Sequence, residues 1–537
     1  MIYIEATGYR LQMGIPAYYK KLTHSVPGLV STHHHEVAWL FMDFNCLIYY
    51  CIGLQPEYDG DLWENGLIES VVSCCKELVK EVKPTEGVYI AIDGVVPMAK
   101  MRQQRLRRFK SVWEQGRTAT DQQGHKADQQ GHKADQQGRT ATDQQGHKAL
   151  QNGKDSKKWN TNAITPGTVF MDKLCTRLQT MCDEKRWMFS GCLEPGEGEH
   201  KIMAQWRCGI YKGPIAVYGL DADLIVLSLL GQAMNQLGTI WLFREVKPLE
   251  SATAVNALKP VDQLYEWFSI DMLRDHLMRP SELCKNYSII SYCFAMSILG
   301  NDFLPSSLGL KMRDGGHDEL LHCLLELIDA DMNIIEENLI ELFRRLSQTE
   351  HHRIMNYIKV KQRQASYSTE KGLGEQNWPL SQIEDLRGDW VARYTKLAGP
   401  SIESCKEYIN GIKWIWSYYT GKSVCYNWYY PYVLPPLWSI LVTYLNSHNT
   451  CLQSEMPICV RIEELRPVEQ LVLVLPLESW SLIPACPEKV LSMIAPQFFP
   501  STFEFESVGK RFFWECEAMI PILTVLELKE LIRAYYP

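Results

Sequence analysis

Aspartates at the ends of apolar runs are the groups in this sequence best placed to do chemistry. Ala38-Trp39-Leu40-Phe41-Met42 runs into Asp43, Val88-Tyr89-Ile90-Ala91-Ile92 into Asp93, and Pro214-Ile215-Ala216-Val217-Tyr218 stops just short of Asp221-Ala222-Asp223. Runs of this length and content read as buried strands of a parallel sheet. Their carboxyl ends share one edge, where open α/β sheets keep their ligands. Glu197 and Glu199, within Glu194-Pro195-Gly196-Glu197-Gly198-Glu199-His200-Lys201, fall at an expected helix start, and Asp302 follows a helix expected over Ile289 to Leu299 and stopped by Gly300. Carboxylates gathered in one cleft repel one another and raise each other's pKa, which divalent cations relieve. Magnesium takes oxygen ligands and keeps water for chemistry. Two such ions can stabilise both the attacking and the leaving oxygen of an in-line phosphodiester displacement. Any one Asp-x-Asp or Glu-x-Glu pair is an ordinary turn or cap; several at strand ends are not.

Beside the Asp93 strand stands a basic segment. Pro97 suits the first position of a helix. Lys100, Gln104, Arg107 and Arg108 then fall at i, i+4, i+7 and i+8, on one face. Residues 100 to 110 hold Lys100, Arg102, Arg105, Arg107, Arg108 and Lys110 and no acid, in a chain of net charge -8. That balance excludes a generally basic coat for nucleic acid and leaves a local patch as the contact. A basic helix face alone is usually just solvated. Next to an acidic metal site its guanidinium and ammonium groups can hold a terminal phosphate.

The elements that must position these groups follow. A chain of 537 residues is too long for a single small core. A short helix over Pro16 to Leu22, the Asp43 strand, a crossover helix over Leu67 to Val82 and the Asp93 strand make a βαβ pattern, hence a parallel, right-handed crossover. His33-His34-His35 reads as a solvated loop, since three consecutive side chains point in different directions. Residues 116 to 149 repeat Asp-Gln-Gln-Gly-His-Lys-Ala, polar and almost without large apolar groups. Such a segment cannot offset its ordering entropy, and 116–158 reads as a disordered insertion. Its period of seven has no apolar seam, and His125, His132 and His147 read as solvated. Thr165-Pro166-Gly167-Thr168 caps a helix from Val169 to Glu184. Helical periodicity covers Leu320 to Val360, residues 362 to 376 read as a linker, and residues 390–537 as an aromatic-rich second lobe. The 17 cysteines include no C-x-x-C pair, which argues against a disulfide framework or zinc knuckle and for a reducing compartment. The start lacks the regions of a signal peptide and no apolar run reaches spanning length, so a soluble, intracellular protein is expected.

At these residues the sequence resembles the XRN family of 5′-to-3′ exoribonucleases. The motifs are Met13-Gly14-Ile15-Pro16-Ala17-Tyr18-Tyr19, Met42-Asp43-Phe44-Asn45, Asp93 to Met101 with Gln103-Gln104-Arg105 and Arg107-Arg108-Phe109, Ile164 to Thr168, Glu194 to Met203, Tyr218 to Asp223, and Gly300-Asn301-Asp302-Phe303-Leu304-Pro305. Trp428-Tyr429-Tyr430-Pro431-Tyr432, Phe498-Phe499-Pro500 and Phe503-Glu504 resemble its second conserved region. The resemblance implies a PIN-like, FEN-related α/β fold, a mainly parallel twisted sheet flanked by helices, closed by a mainly helical second lobe. It divides the chain into an extension over 1–12, a nuclease domain over 13–330, a helical segment and linker over 331–389, and the second region over 390–537. It implies metal ligands at Asp43, Asp93, Glu197, Glu199, Asp221, Asp223 and Asp302, holding two ions of Mg2+ or Mn2+. It implies a 5′-phosphate pocket of Lys100, Gln104, Arg107 and Arg108, too small for caps or triphosphates. The implied reaction is processive hydrolysis of single-stranded, 5′-monophosphorylated RNA to nucleoside 5′-monophosphates. Where the family often has a histidine stacked on the terminal base, this chain has Tyr49, with Trp428 as its expected partner; base–aromatic stacking is worth roughly 1–3 kcal/mol. The usual His-Tyr-Ala-Pro is Val433-Leu434-Pro435-Pro436 here. The family's long C-terminal extensions are missing, so a near-minimal catalytic unit is expected. Met13 is expected to be the initiator, or residues 1–12 to loop away from the site. A cytoplasmic monomer is expected. Two other readings are a structure-specific 5′ nuclease on DNA flaps, which needs no terminal-phosphate pocket, and an inactive RNA-binding scaffold, which loss of a metal carboxylate would favour.

Overall fold

The structure, a computed structural model, describes residues 17–56, 58–113, 159–219, 221–246, 265–279, 287–370, 390–448, 460–461, 464–484, 496–506, 508–510 and 515–532, with residues 361–370 described as backbone. The extension over 1–12, the start at Met13, the helix start at Pro16, the repeat insertion over 116–158 and the linker beyond residue 370 lie outside the described residues.

Seven strands form one sheet among the described residues: β1 (Val30–Ser31), β2 (Trp39–Asp43), β3 (Gly87–Ala91), β4 (Met188–Ser190), β5 (Ile215–Tyr218), β6 (Ile240–Glu245) and β7 (Tyr265–Ser269), in the order β1-β7-β6-β5-β2-β3-β4. β4, β3, β2, β5 and β6 run parallel, with Asp43 opposite Ala91 and Met42 opposite Tyr218. β7 and β1 add an antiparallel edge. The three runs that end near aspartates are therefore the adjacent central strands, in register. Both faces are covered, which is why these strands read as continuous apolar runs.

Helices, in chain order, are α1 (Tyr18–Ser25), α2 (Asn45–Leu54), α3 (Asp61–Val82), α4 (98–113), α5 (Val169–Lys185), α6 (Gly198–Arg207), α7 (Asp223–Asn235), α8 (Ile270–Met278), α9 (Ile289–Ala295), α10 (Gly316–Cys323), α11 (Glu336–Glu370), α12 (Trp390–Ala398), α13 (Ser401–Thr420), α14 (Trp438–Ser447), α15 (Pro467–Val474) and α16 (Val525–Ile532). Leu40, Met42, Val88, Ile90, Ala216 and Tyr218 pack with α2, α3 and α5 on one face of the sheet. Phe41, Tyr89, Ala91, Ile215 and Val217 pack with α6 to α9 on the other. That second core runs on through α13 and α14 without a break, from Tyr18 to Leu445. A further core joins α4 to the second lobe, with Val96, Met98, Met101 and Phe109 against Leu471, Leu473, Phe499 and Phe505. The lobe carries a small antiparallel pair, β8 (Phe505–Glu506) with β9 (Glu517–Ala518).

Three expectations change in detail. The periodicity over Leu320 to Val360 is two helices, α10 and α11, parted by a turn that an Ile328–Ile334 bridge closes. α11 continues to Glu370, so its last turns occupy ground expected to be linker. The histidine loop is mostly solvated: His33 and His34 are exposed, though His34 Nε2 meets Val82 O at 3.0 Å, and His35 stacks on Trp241 at 3.7 Å. Consecutive side chains do point in different directions; two of those directions here meet the fold. No helix among the described residues is long and apolar enough to cross a membrane, and the apolar run from Leu224 to Leu230 is buried within α7. The described cysteines are all free thiols.

Candidate active site

The carboxylates converge where three parallel strands end. Asp43 is the last residue of β2, and the start of α6 lies directly against it. A Cβ at Gly198 would come within 2.5 Å of Asp43 Oδ1 and 3.0 Å of Ala91 O, so the position has room only for glycine. The Gly198 N–H donates to Asp93 Oδ1 at 2.7 Å, and the Asn45 side-chain amide donates to Asp93 Oδ2 at 2.7 Å. Asp93 is thus aimed by backbone and by the residue two beyond Asp43. The Gly196 N–H donates to Val95 O and the Gly94 N–H to Gly196 O, both at 2.8 Å, which ties the Glu197 loop to the Asp93 loop. Glu197 is the residue before α6 and Glu199 lies in its first turn; Asp223 opens α7 two residues after Asp221. Asp302 sits in a turn entered at Gly300 (φ 91°), whose Asn301 side chain accepts from the Phe303 and Leu304 N–H groups at 2.9 and 3.0 Å.

All seven share one field. Burial, then Asp93 and Asp221, push the Asp43 carboxyl well above its ordinary range. Burial and Glu197 raise Glu199, and burial with Asp302 and Asp221 raises Asp223. Burial with Asp302 pushes Asp221 up to about 7, against the pull of Lys100 and Arg107. Burial also raises Glu197, against Lys100.

On α4 the expected pocket residues occupy different environments. Lys100 Nζ lies 2.6 Å from Glu197 Oε2 and 2.8 Å from Asp302 Oδ2, so it stands at the carboxylates themselves. Arg108 donates to Thr165 Oγ1 at 2.6 Å and is pushed down to about 10 by burial. The Thr165-Pro166-Gly167-Thr168 motif therefore does more than cap α5: Thr165 holds an arginine of the pocket. Gly167, at φ 90°, lets Pro467 of α15 pass where a Cβ would stand 2.6 Å from it. Gln104 accepts from Gln470 at 3.2 Å, and Gln470 in turn accepts from the Val96 N–H at 3.0 Å. Arg107 is half-buried, close enough to Asp221 and Arg108 to bias both, and makes no hydrogen bond or ion pair among the described residues. The other cations of the segment face the second lobe. Arg105, 2% exposed, donates to Leu473 O at 2.7 Å and to Phe498 O, and packs against Phe109 and Phe499. Lys110 donates to Cys516 O at 3.1 Å, and Arg102 pairs with Glu517 at 3.4 Å.

The two expected stacking residues sit in different surroundings. Tyr49, half-buried on α2, lies near Arg108 at the pocket. Trp428 is in the core: its ring lies 5.2 Å from that of Trp414, its edge fills the space at Gly411, and its indole N–H donates to Glu407 at 3.0 Å. No ring contact joins it to Tyr49 among the described residues. In the same stretch of the second lobe the Tyr426 carbonyl accepts from the Met98 N–H, two residues before Lys100, at 2.8 Å.

The donor set fits a divalent cation. Asp221 Oδ1 and Asp223 Oδ1 are buried with no hydrogen-bond partner, and oxygen atoms of Glu197 and Glu199 lie within 4.8 Å of each other and of a His200 ring nitrogen. Unpartnered buried carboxylate oxygens are costly unless they coordinate something. Hard oxygen donors from several elements, with one imidazole nearby, suit Mg2+ or Mn2+.

Comparison with known proteins agrees with this geometry. Residues 13–245 match the model of the XRN 5'-3' exonuclease N-terminus, and residues 395–536 match that of the Xrn1 helical domain. The chain is 25% identical to human 5'-3' exoribonuclease 1, over 96% of this chain and 34% of that protein. It is 29% identical to 5'-3' exoribonuclease 2 of Schizosaccharomyces pombe, over 62% and 37%, and 23% identical to a 5'-3' exoribonuclease 2 homolog of Drosophila melanogaster, over 98% and 71%. The chain thus spans about a third of the length of the first two relatives. With both domain models matched in order, on a mainly parallel sheet joined to a helical second lobe, the chain belongs to the XRN family of 5'-3' exonucleases.

Proposed function

We propose that this chain is a 5′-to-3′ exoribonuclease of RNA decay that hydrolyses single-stranded, 5′-monophosphorylated RNA processively to nucleoside 5′-monophosphates. One observation carries the reading: seven carboxylates from separate strand ends and loops meet on the cationic face of α4, where Arg107 has no partner among the described residues. Arg107 and Arg108 bind the terminal phosphate. Arg108 is oriented by Thr165, and Gln104 is held on the same face by Gln470. Tyr49 supplies a ring beside that pocket for the first base. Asp43, Asp93, Glu197, Glu199, Asp221, Asp223 and Asp302 would hold one or two Mg2+ or Mn2+ ions. A divalent cation bound there lowers the pKa of its water and neutralises charge building on the phosphoryl oxygens. Lys100, ion-paired to Glu197 and Asp302, adds its charge to the pocket on the carboxylate side. Flap cleavage of DNA gives Arg107 and Arg108 no task, and a scaffold would not need every carboxylate kept.

The test offers RNAs with 5′-monophosphate, triphosphate and hydroxyl ends, each with magnesium or chelator. The expected result is fast, magnesium-dependent loss of the monophosphate RNA alone, with mononucleotides as product. Equal decay of all three removes the pocket. A DNA flap cut in preference to RNA favours the flap reading, and binding without decay favours the scaffold. A monomeric, cytoplasmic enzyme is part of the proposal; light scattering and imaging of the tagged chain test those two points.

A further inference from the structure

The metal-ligand candidates all come from the sheet half of the molecule, yet Glu197 is gripped from the second lobe. Tyr418, in the last turn of α13, donates its hydroxyl to Glu197 Oε1 at 2.9 Å while Lys100 holds Oε2 at 2.6 Å. The Tyr418 ring is 6% exposed and fixed from three sides: His200 at 3.7 Å and 32°, Trp414 at 4.8 Å and 29°, and Phe303 edge-on at 5.7 Å. His200 belongs to the same turn of α6 as Glu199, so the ring is clamped to the helix that carries Glu199 and starts just after Glu197. Tyr419 reaches the neighbouring turn, where Asn301 lies 3.5 Å from its hydroxyl. A hydroxyl that only adds stability has no reason to end on one oxygen of a carboxylate that must stay available to a cation.

We propose that Tyr418 is a positioning residue of the cation site: its hydroxyl sets the rotamer of Glu197, so the second lobe completes the site by one hydrogen bond as well as by covering it. The inference rests on the exoribonuclease reading and deepens it. Groups that orient a metal ligand from behind typically change metal affinity by roughly 10–100-fold when lost. Phenylalanine keeps the stacked ring and deletes only the donor.

Wild type, Tyr418→Phe, Glu197→Gln and the double variant are titrated with Mn2+ without RNA, following the free ion by electron paramagnetic resonance. Tyr418→Phe is expected to bind roughly tenfold or more weakly with its melting temperature unchanged. The double variant is expected to bind no worse than Glu197→Gln alone. Turnover of monophosphate RNA by Tyr418→Phe recovers as Mn2+ is raised, with KM for RNA unaltered. Wild-type Mn2+ affinity in Tyr418→Phe, or an additive loss in the double variant, overturns the positioning role and leaves the exoribonuclease reading standing. Wild-type protein that takes up no Mn2+ overturns that reading and this inference together.

Discussion

Asp221 illustrates how much one side chain owes to its neighbours. It is 9% exposed, one of its oxygens has no partner, and Asp302 helps burial push its carboxyl up to about 7. Removing it should cost little folding stability, because a buried carboxylate held among others is itself a burden. It should cost nearly all turnover: Asp221→Ala is expected to slow RNA hydrolysis roughly a thousandfold while binding to monophosphate RNA persists. Single-turnover kinetics beside a filter-binding assay measure both, and unaffected turnover would take Asp221 out of the ligand set. Arg107 makes the opposite case, a cation with no partner among the described residues. A charge-assisted hydrogen bond is worth about 1.5–3 kcal/mol, so Arg107→Ala should lower kcat/KM for monophosphate RNA by roughly tenfold or more. Any residual decay of hydroxyl-ended RNA should not move, and the drop in kcat/KM for monophosphate RNA against wild type is the quantity to measure.

At the scale of elements, α4 divides its cations between two tasks that its composition does not separate. Lys100, Arg107 and Arg108 face the site; Arg105 and Lys110 face the second lobe. The i, i+4, i+7, i+8 rule sorted the first group, because helical geometry alone decides which residues share a face. It could not say that the opposite face is also buried, since that depends on a segment more than three hundred residues away. Arg105 is held among carbonyls and rings with its guanidinium pushed down to about 9 by burial. Arg105→Ala would strand Leu473 O and Phe498 O and leave a void, so a loss of about 3 kcal/mol is expected. Calorimetric unfolding checks it. Unchanged stability would mean that α15 docks without this contact.

For the whole molecule, the junction of the helical segment with the second lobe carries a titratable group. Glu350 of α11 accepts the Trp438 N–H at the start of α14 at 3.0 Å, and Phe343 stacks on Trp438 at 5.4 Å. Burial pushes the Glu350 carboxyl up to about 7 from 4.5, against the pull of the Trp438 and Ser439 amides. A folded-state pKa above the unfolded one gives stability that is complete below about pH 4.5 and lost as pH rises through about 7. Glu350→Gln should therefore be more stable than wild type at pH 8, by up to about 3 kcal/mol, and no more stable at pH 4, as denaturant unfolding at the two pH values measures. A gain that is the same at both pH values would show that Glu350 is not the group responsible. Deleting residues 116–149 should leave turnover of monophosphate RNA within about twofold, because the repeat is polar, almost without large apolar groups, and separate in sequence from every site residue. Loss of turnover in that variant would give the repeat a task of its own.

What the chain determines by itself is local and periodic: apolar runs of strand length, acids at their ends, a cationic helix face, a capped helix at Thr168. Those features follow from the two-residue and 3.6-residue repeats of backbone geometry, and they were enough to single out the strand-end carboxylates and the one-sided cationic face of α4. β1, β4, β6 and β7 were not legible, because short or aromatic-mixed runs outside the central strands become strands only when a neighbour offers its hydrogen bonds. The same limit explains the aromatic residues. Whether a ring in the second lobe packs into the core, as Trp428 does, or reaches a carboxylate, as Tyr418 does, depends on how two distant segments meet. No spacing rule carries that information; only the packing of the lobes on each other decides it.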